Sequence, residues 1–166
     1  MNRVAAAQPA NDITNSILHA AWVTDTAYAQ ATAMSIFSAS QQTSAAAVFV
    51  VLMPPDDLPK NEWHDLRFLL PVVLQEVARC LYLDADVLVL DDLTHLWDEI
   101  DPAMPVSAAR DYYLAADGAH LRALGLTQYF NSGVMGLNLQ AWRTHGYTDT
   151  CLQLAASGNR RFIYLD

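Results

Sequence analysis

The 166-residue sequence predicts an α/β fold whose mostly parallel sheet is flanked by helices on both faces. Apolar runs alternate along the chain with longer segments that suit helices, which is the pattern of this fold class. The runs are apolar throughout, as expected of strands buried on both faces. Acidic residues follow several runs directly, at the strand ends where open parallel sheets bind ligands.

Composition and charge limit the possible functions. Hydrophobic residues make up 53% of the chain and charged residues 16%, which predicts a globular protein. The net charge of −9 argues against a nucleic acid partner, because such affinity comes from Lys and Arg that neutralise phosphates. No transmembrane segment is expected, since spanning a bilayer takes about 20 apolar residues. The two widely spaced cysteines suit a reducing, cytoplasmic location.

The elements can be assigned in order from these patterns. We interpret residues 1–15 as a flexible N-terminal tail and residues 16–166 as one domain. Six apolar runs predict strands, at residues 17–24, 46–53, 79–83, 106–109, 129–139 and 161–165. Helical patterns occupy residues 28–42, 66–77 and 140–157, with a short helical turn at 92–97. Pro71 complicates the helix at 66–77, whereas Gly158 ends the one at 140–157.

Aspartates cluster after the predicted strands. They are Asp25, Asp84, Asp86, Asp111 and Asp166. Asp84 and Asp86 lie one residue apart directly after an apolar run, and two convergent carboxylates suit a hard divalent cation while leaving coordination positions for phosphate oxygens and water. The alternative is a solvated loop whose acids cap the next turn, because an Asp-x-Asp pair is common by chance.

Four segments of the chain resemble glycosyltransferase family 8. They are RCLYLDADVLVLDDLTHLWD at 79–98, YFNSGVMGLNLQAWR at 129–143, WVTDTAY at 22–28 and FIYLD at 162–166. The resemblance implies a GT-A-type nucleotide-sugar-binding fold, incomplete in this chain. It also implies a retaining hexosyltransferase with a UDP-hexose donor, a saccharide or lipopolysaccharide acceptor, and Mn²⁺ or Mg²⁺ as cofactor.

The resemblance assigns the metal and nucleotide positions residue by residue. Asp84 and Asp86 match the family's metal ligands, and Ala85 between them belongs to the nucleotide-sugar site. Asp25 matches the acid that accepts a hydrogen bond from uracil, and Tyr28 matches the aromatic residue that stacks on that ring. Without the resemblance, Asp25 would be interpreted as a helix N-cap and Tyr28 as a core residue.

The resemblance also places residues around the diphosphate and the donor sugar. Arg67 matches a catalytic arginine that contacts the diphosphate or the sugar, and Asn131 and Ser132 match sugar contacts. The alternative for Arg67 is a solvated helix residue. The alternative for Asn131 and Ser132 is turn chemistry before Gly133.

Two further acids complete the catalytic assignments. Asp111 matches an acid near the acceptor or donor sugar, and Asp166 matches the first acid of the family's Asp-Gln-Asp segment. Their alternatives are a strand-ending cap and a frayed chain end. The sequence stops at Asp166, before the glutamine and the metal-binding histidine that the family implies. We therefore expect a truncated enzyme, whose missing C-terminal segment could attach it to a membrane surface.

Three functions remain open at this stage. The first is retaining transfer, in which the metal and Arg67 stabilise the charge that develops on the leaving UDP. The second is a catalytically impaired remnant that binds nucleotide sugars, because the third metal ligand is missing. The third is a haloacid dehalogenase-like phosphohydrolase, which also has Asp-x-Asp after a strand. That class needs a downstream lysine, and the single lysine, Lys60, precedes the motif.

Overall fold

The computed structural model describes residues 17–55, 58, 66–112, 118–123 and 125–157. The predicted tail at 1–15, the predicted strand at 161–165 and Asp166 lie outside the described residues. The described part contains five strands, β1 (Leu18–Val23), β2 (Ala47–Leu52), β3 (Cys80–Leu83), β4 (Val106–Arg110) and β5 (Phe130–Leu137). All five coincide with apolar runs that predict strands.

The five described strands form one sheet in the order β2-β1-β3-β5-β4. β1 pairs in parallel with β2 and β3, whereas β5 is antiparallel to both β3 and β4. Four of these five strands therefore run in the same direction, which confirms a mostly parallel sheet of mixed type. The reversed β5 brings its own N-terminus beside the carboxyl ends of β3 and β4.

Six helices are described, and they lie between or after the strands. They are α1 (Ala29–Gln42), α2 (Leu70–Val73), α3 (Leu93–Asp98), α4 (Gly118–Ala123), α5 (Leu139–His145) and α6 (Tyr147–Ala156). At the start of α3 the Asp92 carboxylate accepts a hydrogen bond from the Thr94 N–H at 2.9 Å, as an N-cap does. Across the part of the chain that the structure describes, no helix has the length and apolar content to cross a bilayer.

The predicted helix at 66–77 is wrong in its extent. A 3₁₀ turn covers 66–69 and leads into the single α-helical turn of α2, after which the chain leaves the helix. The Arg143 guanidinium donates to three carbonyls of this segment, those of Pro71, Leu74 and Val77, at 3.2, 3.1 and 2.9 Å. These hydrogen bonds, made by a residue distant in sequence, satisfy carbonyls that would otherwise need helical partners.

The predicted helix at 140–157 is two helices. Gly146 has φ 67° and ψ 31°, a left-handed conformation that ends α5 and lets α6 begin in a new direction. Glycine adopts this conformation without the steric cost that a side chain brings. The break allows α5 and α6 to pack differently against the same side of the sheet. Helix α4 was not predicted from the sequence.

The core lies on both faces of the sheet. On one face, residues of β1 and β3 pack against α1 and α3, with Trp22, Leu81, Leu83, Ala39, Leu93 and Trp97 buried. On the other face, residues of β3 and β5 pack against α2 and α5, with Tyr82, Met135, Leu137, Leu70, Leu139 and Trp142 buried. The Trp22 indole N–H donates to the Ser35 hydroxyl at 2.9 Å, which attaches α1 to β1.

The close packing of Gly136 against Ile100 can be tested by substitution. A Cβ at this position would lie 2.5 Å from Cγ1 of Ile100. Gly136→Ala should therefore lower the free energy of unfolding by about 1–3 kcal/mol through overpacking. Ile100→Ala alone should lower it by about 2–5 kcal/mol by leaving a cavity. In urea unfolding, the double variant should lose less free energy of unfolding than the sum of the two single losses. Strict additivity would contradict this contact.

Candidate functional site at the carboxyl edge of the sheet

Predicted site residues lie along one edge of the sheet. They are Asp25 after β1, Asp84 after β3, Asp111 after β4, and Asn131 and Ser132 near the start of β5. The Asp84 N–H donates to the Gly133 carbonyl at 2.8 Å, and the Asp111 N–H donates to the Tyr129 carbonyl at 3.0 Å. These bonds extend the sheet pairing beyond the strands. The reversed β5 thus brings Asn131 and Ser132 to the same edge as the aspartates.

The Asp84 carboxylate is held between two neighbours. The Tyr82 hydroxyl donates to its Oδ1 at 2.6 Å. On its other side, a Cβ at Gly133 would lie only 2.8 Å from its Oδ2, so only glycine leaves room for this orientation. The sequence alone did not indicate these roles for Tyr82 and Gly133. The available signal was a glycine within a strand, which often marks a close approach of another group.

Arg67 lies inside the site. Its side chain is 7% exposed, its guanidinium carbon lies 4.9 Å from the centre of the Tyr82 ring, and its Nη1 donates to the Ser132 carbonyl at 3.3 Å. A cation over an aromatic face is a favourable electrostatic contact. The alternative of a solvated helix residue is therefore wrong. The burial places one permanent positive charge beside Tyr82, whose hydroxyl donates to the Asp84 carboxylate.

The segment that carries Arg67 is held by α5 and α6. The Thr148 hydroxyl donates to the Phe68 carbonyl at 2.9 Å, and the Phe68 ring stacks on Trp142 with 6.2 Å between ring centres. Arg143 holds the carbonyls that follow. The position of Arg67 therefore depends on residues that lie about half the chain later in sequence.

The charges of the site act on Tyr82. Burial raises the pKa of its phenol well above the ordinary value of 10.0, the positive charge of Arg67 opposes this shift, and the negative charges of Asp84 and Asp86 add to it. Both aspartates therefore lie near enough to the same hydroxyl to influence it. Asp86 is exposed, and Ala85 is half-buried in the turn between the two acids. The Asp84 carbonyl closes that turn by accepting from the Val87 N–H at 3.2 Å.

The donor set suits a hard divalent cation. Carboxylate oxygens are the ligands that Mn²⁺ and Mg²⁺ prefer, and Asp84 already has its carboxylate oriented by a hydrogen bond, as metal ligands commonly do. Within the ranges that the structure describes, no three His, Cys, Asp or Glu side chains group closely enough to hold a metal ion. Asp84 and Asp86 therefore fit as a partial ligand set, and phosphate oxygens and water would have to supply the other ligands.

Asp25 and Tyr28 lie together at the end of β1. Asp25 is 8% exposed, and its Oδ1 accepts from the Tyr28 N–H at 2.8 Å. The carboxylate thus closes the turn before α1, so the cap-like alternative describes part of its role. Tyr28 is 58% exposed, so the alternative of a core residue is wrong. Likewise, Asn131 shows the turn chemistry of its alternative, because its Oδ1 accepts from the Gly133 N–H at 2.9 Å.

Comparison with known proteins identifies a family. The sequence profile described as glycosyl transferase family 8 matches residues 63–166, more than half of the chain. General stress protein A of Bacillus subtilis (strain 168) is 33% identical over 78 residues, which are 45% of this chain and 26% of that protein. Probable galacturonosyltransferase-like 2 of Arabidopsis thaliana is 30% identical over 124 residues, which are 65% of this chain and 36% of that protein. The chain thus spans about a quarter to a third of these relatives.

Solved structures confirm the predicted GT-A-type fold. An active-site mutant of LgtC superposes with a TM-score of 0.77 at 20% identity, covering 89% of this chain and 66% of that one. The galactosyltransferase LgtC in complex with donor and acceptor sugar analogues gives a TM-score of 0.71, also at 20% identity, over 84% of this chain and 66% of that one. The glycosyltransferase GlyE of Streptococcus pneumoniae TIGR4 gives 0.68 over 89% of this chain and 40% of its own, again at 20% identity.

The buried phenol predicts a pH dependence of stability. An unfolded chain releases the Tyr82 proton near the ordinary pKa of 10.0, whereas the folded protein retains it. The free energy of unfolding should therefore fall as pH rises above about 10, by up to about 1.4 kcal/mol per pH unit from this group. Tyr82→Phe should remove that part of the fall in urea unfolding. An unchanged slope in the variant would contradict the shift.

Proposed function

The chain belongs to glycosyltransferase family 8, and we propose that it transfers a hexose from a UDP-hexose to a saccharide acceptor with retention of anomeric configuration and with a divalent metal. The observation that carries the proposal is the arrangement at the end of β3. There the Tyr82 hydroxyl orients Asp84, and the buried guanidinium of Arg67 lies 4.9 Å from the centre of the same ring. The exposed Asp86 is near enough for its charge to act on this phenol as well. Such a set can hold a cation and a diphosphate together. Family membership favours this over phosphohydrolase chemistry.

The proposed roles follow from charge. Asp84 and Asp86 would hold Mn²⁺ or Mg²⁺, which, when bound, supplies positive charge to the leaving diphosphate. Arg67 adds a second, permanent positive charge, and its guanidinium is positioned by the Tyr82 ring and the Ser132 carbonyl. Fixed charges aimed at a developing negative charge lower the barrier without reorganisation during the reaction.

The remaining residues would bind the two ends of the donor. The exposed ring of Tyr28 is available to stack on uracil, beside the Asp25 carboxylate. Asn131, Ser132 and Asp111, on the far side of β3, would face the sugar and the acceptor, for which the lipopolysaccharide class is one candidate. Asp166 keeps its proposed catalytic role but lies outside the described residues. The proposed cytoplasmic location rests on the two cysteines being far apart in sequence, which suits a reducing compartment.

We expect UDP binding to depend on the metal. The net charge of −9 repels a diphosphate unless a cation intervenes. Asp86→Ala should therefore abolish the difference between UDP titrations in Mn²⁺ and in EDTA, measured by calorimetry. Glu99→Ala removes an equally exposed negative charge after α3 and should keep that difference. ADP and GDP titrations test the uracil site in parallel. Equal UDP affinity in Mn²⁺ and EDTA for the unmodified protein would refute the metal assignment.

Transfer itself is tested by release of UDP. The protein with Mn²⁺ should release UDP from UDP-glucose or UDP-galactose, and a saccharide acceptor should accelerate the release. Arg67→Met keeps a long apolar side chain over Tyr82 but removes the charge, so the rate should fall by about 10²-fold or more. Tight, metal-dependent UDP binding without any release would instead identify an impaired nucleotide-sugar-binding protein.

A further inference from the structure

We propose that Tyr82 is a positioning residue that orients Asp84 through its hydroxyl and Arg67 through its ring, so that a single side chain sets the relative placement of the cation and the guanidinium. The inference rests on the proposed function, because it gives Tyr82 a role in the same site. Tyr82 touches no substrate itself, since its side chain is 2% exposed.

The hydroxyl contact follows from strand geometry. Residues two apart on a strand share a face, so Tyr82 and Asp84 point to the same side of β3. The backbone there is already fixed, since Tyr82 pairs with Met135 and the Asp84 N–H donates to the Gly133 carbonyl. These main-chain contacts do not set the rotation of the Asp84 side chain. The 2.6 Å bond from the phenol restricts that rotation by holding Oδ1.

Gly133 leaves room for the same carboxylate on the opposite side. A Cβ there would meet Oδ2 at 2.8 Å and the carboxyl carbon at 3.4 Å, so the observed orientation requires a hydrogen atom in place of a side chain. A ligand whose orientation is fixed by a hydrogen bond to one oxygen reaches a cation with little loss of conformational entropy. Partners that orient a metal ligand commonly change metal affinity by about 10- to 100-fold when removed.

The ring contact serves Arg67. A guanidinium that is 7% exposed needs partners, and two of them are the Tyr82 face at 4.9 Å and the Ser132 carbonyl at 3.3 Å. Because the ring and the hydroxyl belong to one rigid group, a shift of Tyr82 would move both charged side chains at once. The two contacts can nevertheless be separated experimentally, since phenylalanine retains the ring and loses only the hydroxyl.

The test compares Tyr82→Phe with Tyr82→Leu. Mn²⁺ affinity in the presence of UDP, and UDP affinity at saturating Mn²⁺, are both measured by calorimetry. Tyr82→Phe should weaken Mn²⁺ about 10- to 100-fold while UDP affinity at saturating Mn²⁺ stays near that of the unmodified protein. Tyr82→Leu should weaken both affinities, because Arg67 loses the aromatic ring that positions its guanidinium. Tyr147→Phe removes a hydroxyl from another ring packed against this core face and should change neither affinity.

The variant Gly133→Ala tests the orientation of Asp84 independently. It keeps Tyr82 but forces the Asp84 carboxylate to move, and should also weaken Mn²⁺. Unchanged Mn²⁺ affinity in folded Tyr82→Phe overturns the inference, and if that variant does not fold, unchanged Mn²⁺ affinity in Gly133→Ala overturns it. Asp86→Ala separates the two levels. If it too leaves Mn²⁺ binding unchanged, the proposed metal site fails; if it alone loses Mn²⁺, only the role of Tyr82 fails.

Discussion

The close approach of β3 and β5 at Asp84 and Gly133 is the constraint on which the site depends. The main-chain bond between these residues continues the antiparallel pairing past the end of β3, and the missing side chain of Gly133 leaves space for the carboxylate. The same approach carries Asn131 and Ser132 to the acidic edge and presents the Ser132 carbonyl to Arg67. A parallel strand in the place of β5 would start at the opposite edge of the sheet.

The protein has far fewer positive than negative charges, and one of the positive charges lies near this junction. The chain has 9 Lys and Arg against 18 Asp and Glu, yet it buries one arginine at the edge where aspartates follow β1, β3 and β4. A buried cation is costly unless it has partners. Tyr82 supplies an aromatic face for it, and the Ser132 carbonyl accepts one of its hydrogen bonds. The edge thus combines oxygen donors for a cation with a fixed cation of its own.

The sequence predicts the strands, the acidic edge and the family well, because buried strands are continuous apolar runs and the residues after them are read directly. It does not predict the direction of β5, since an apolar run carries no direction. Nor does it predict the short α2, whose carbonyls are satisfied by Arg143 from far along the chain. The contact of Tyr82 with Arg67 depends on burial and on two segments that meet only in the folded state. The assigned roles of all the site residues stay predictions.

The dependence of Arg67 on α5 and α6 has a consequence for biosynthesis. The ribosome makes the arginine and the acid pair early, but Trp142, Arg143 and Thr148, which hold the arginine's segment, emerge some 75 residues later. Contacts between distant parts of a chain form only after the entropy of closing a long loop has been overcome. During translation Arg67 and the acid pair therefore leave the ribosome well before the residues that hold the Arg67 segment, so the complete site forms only after α5 and α6 have been made.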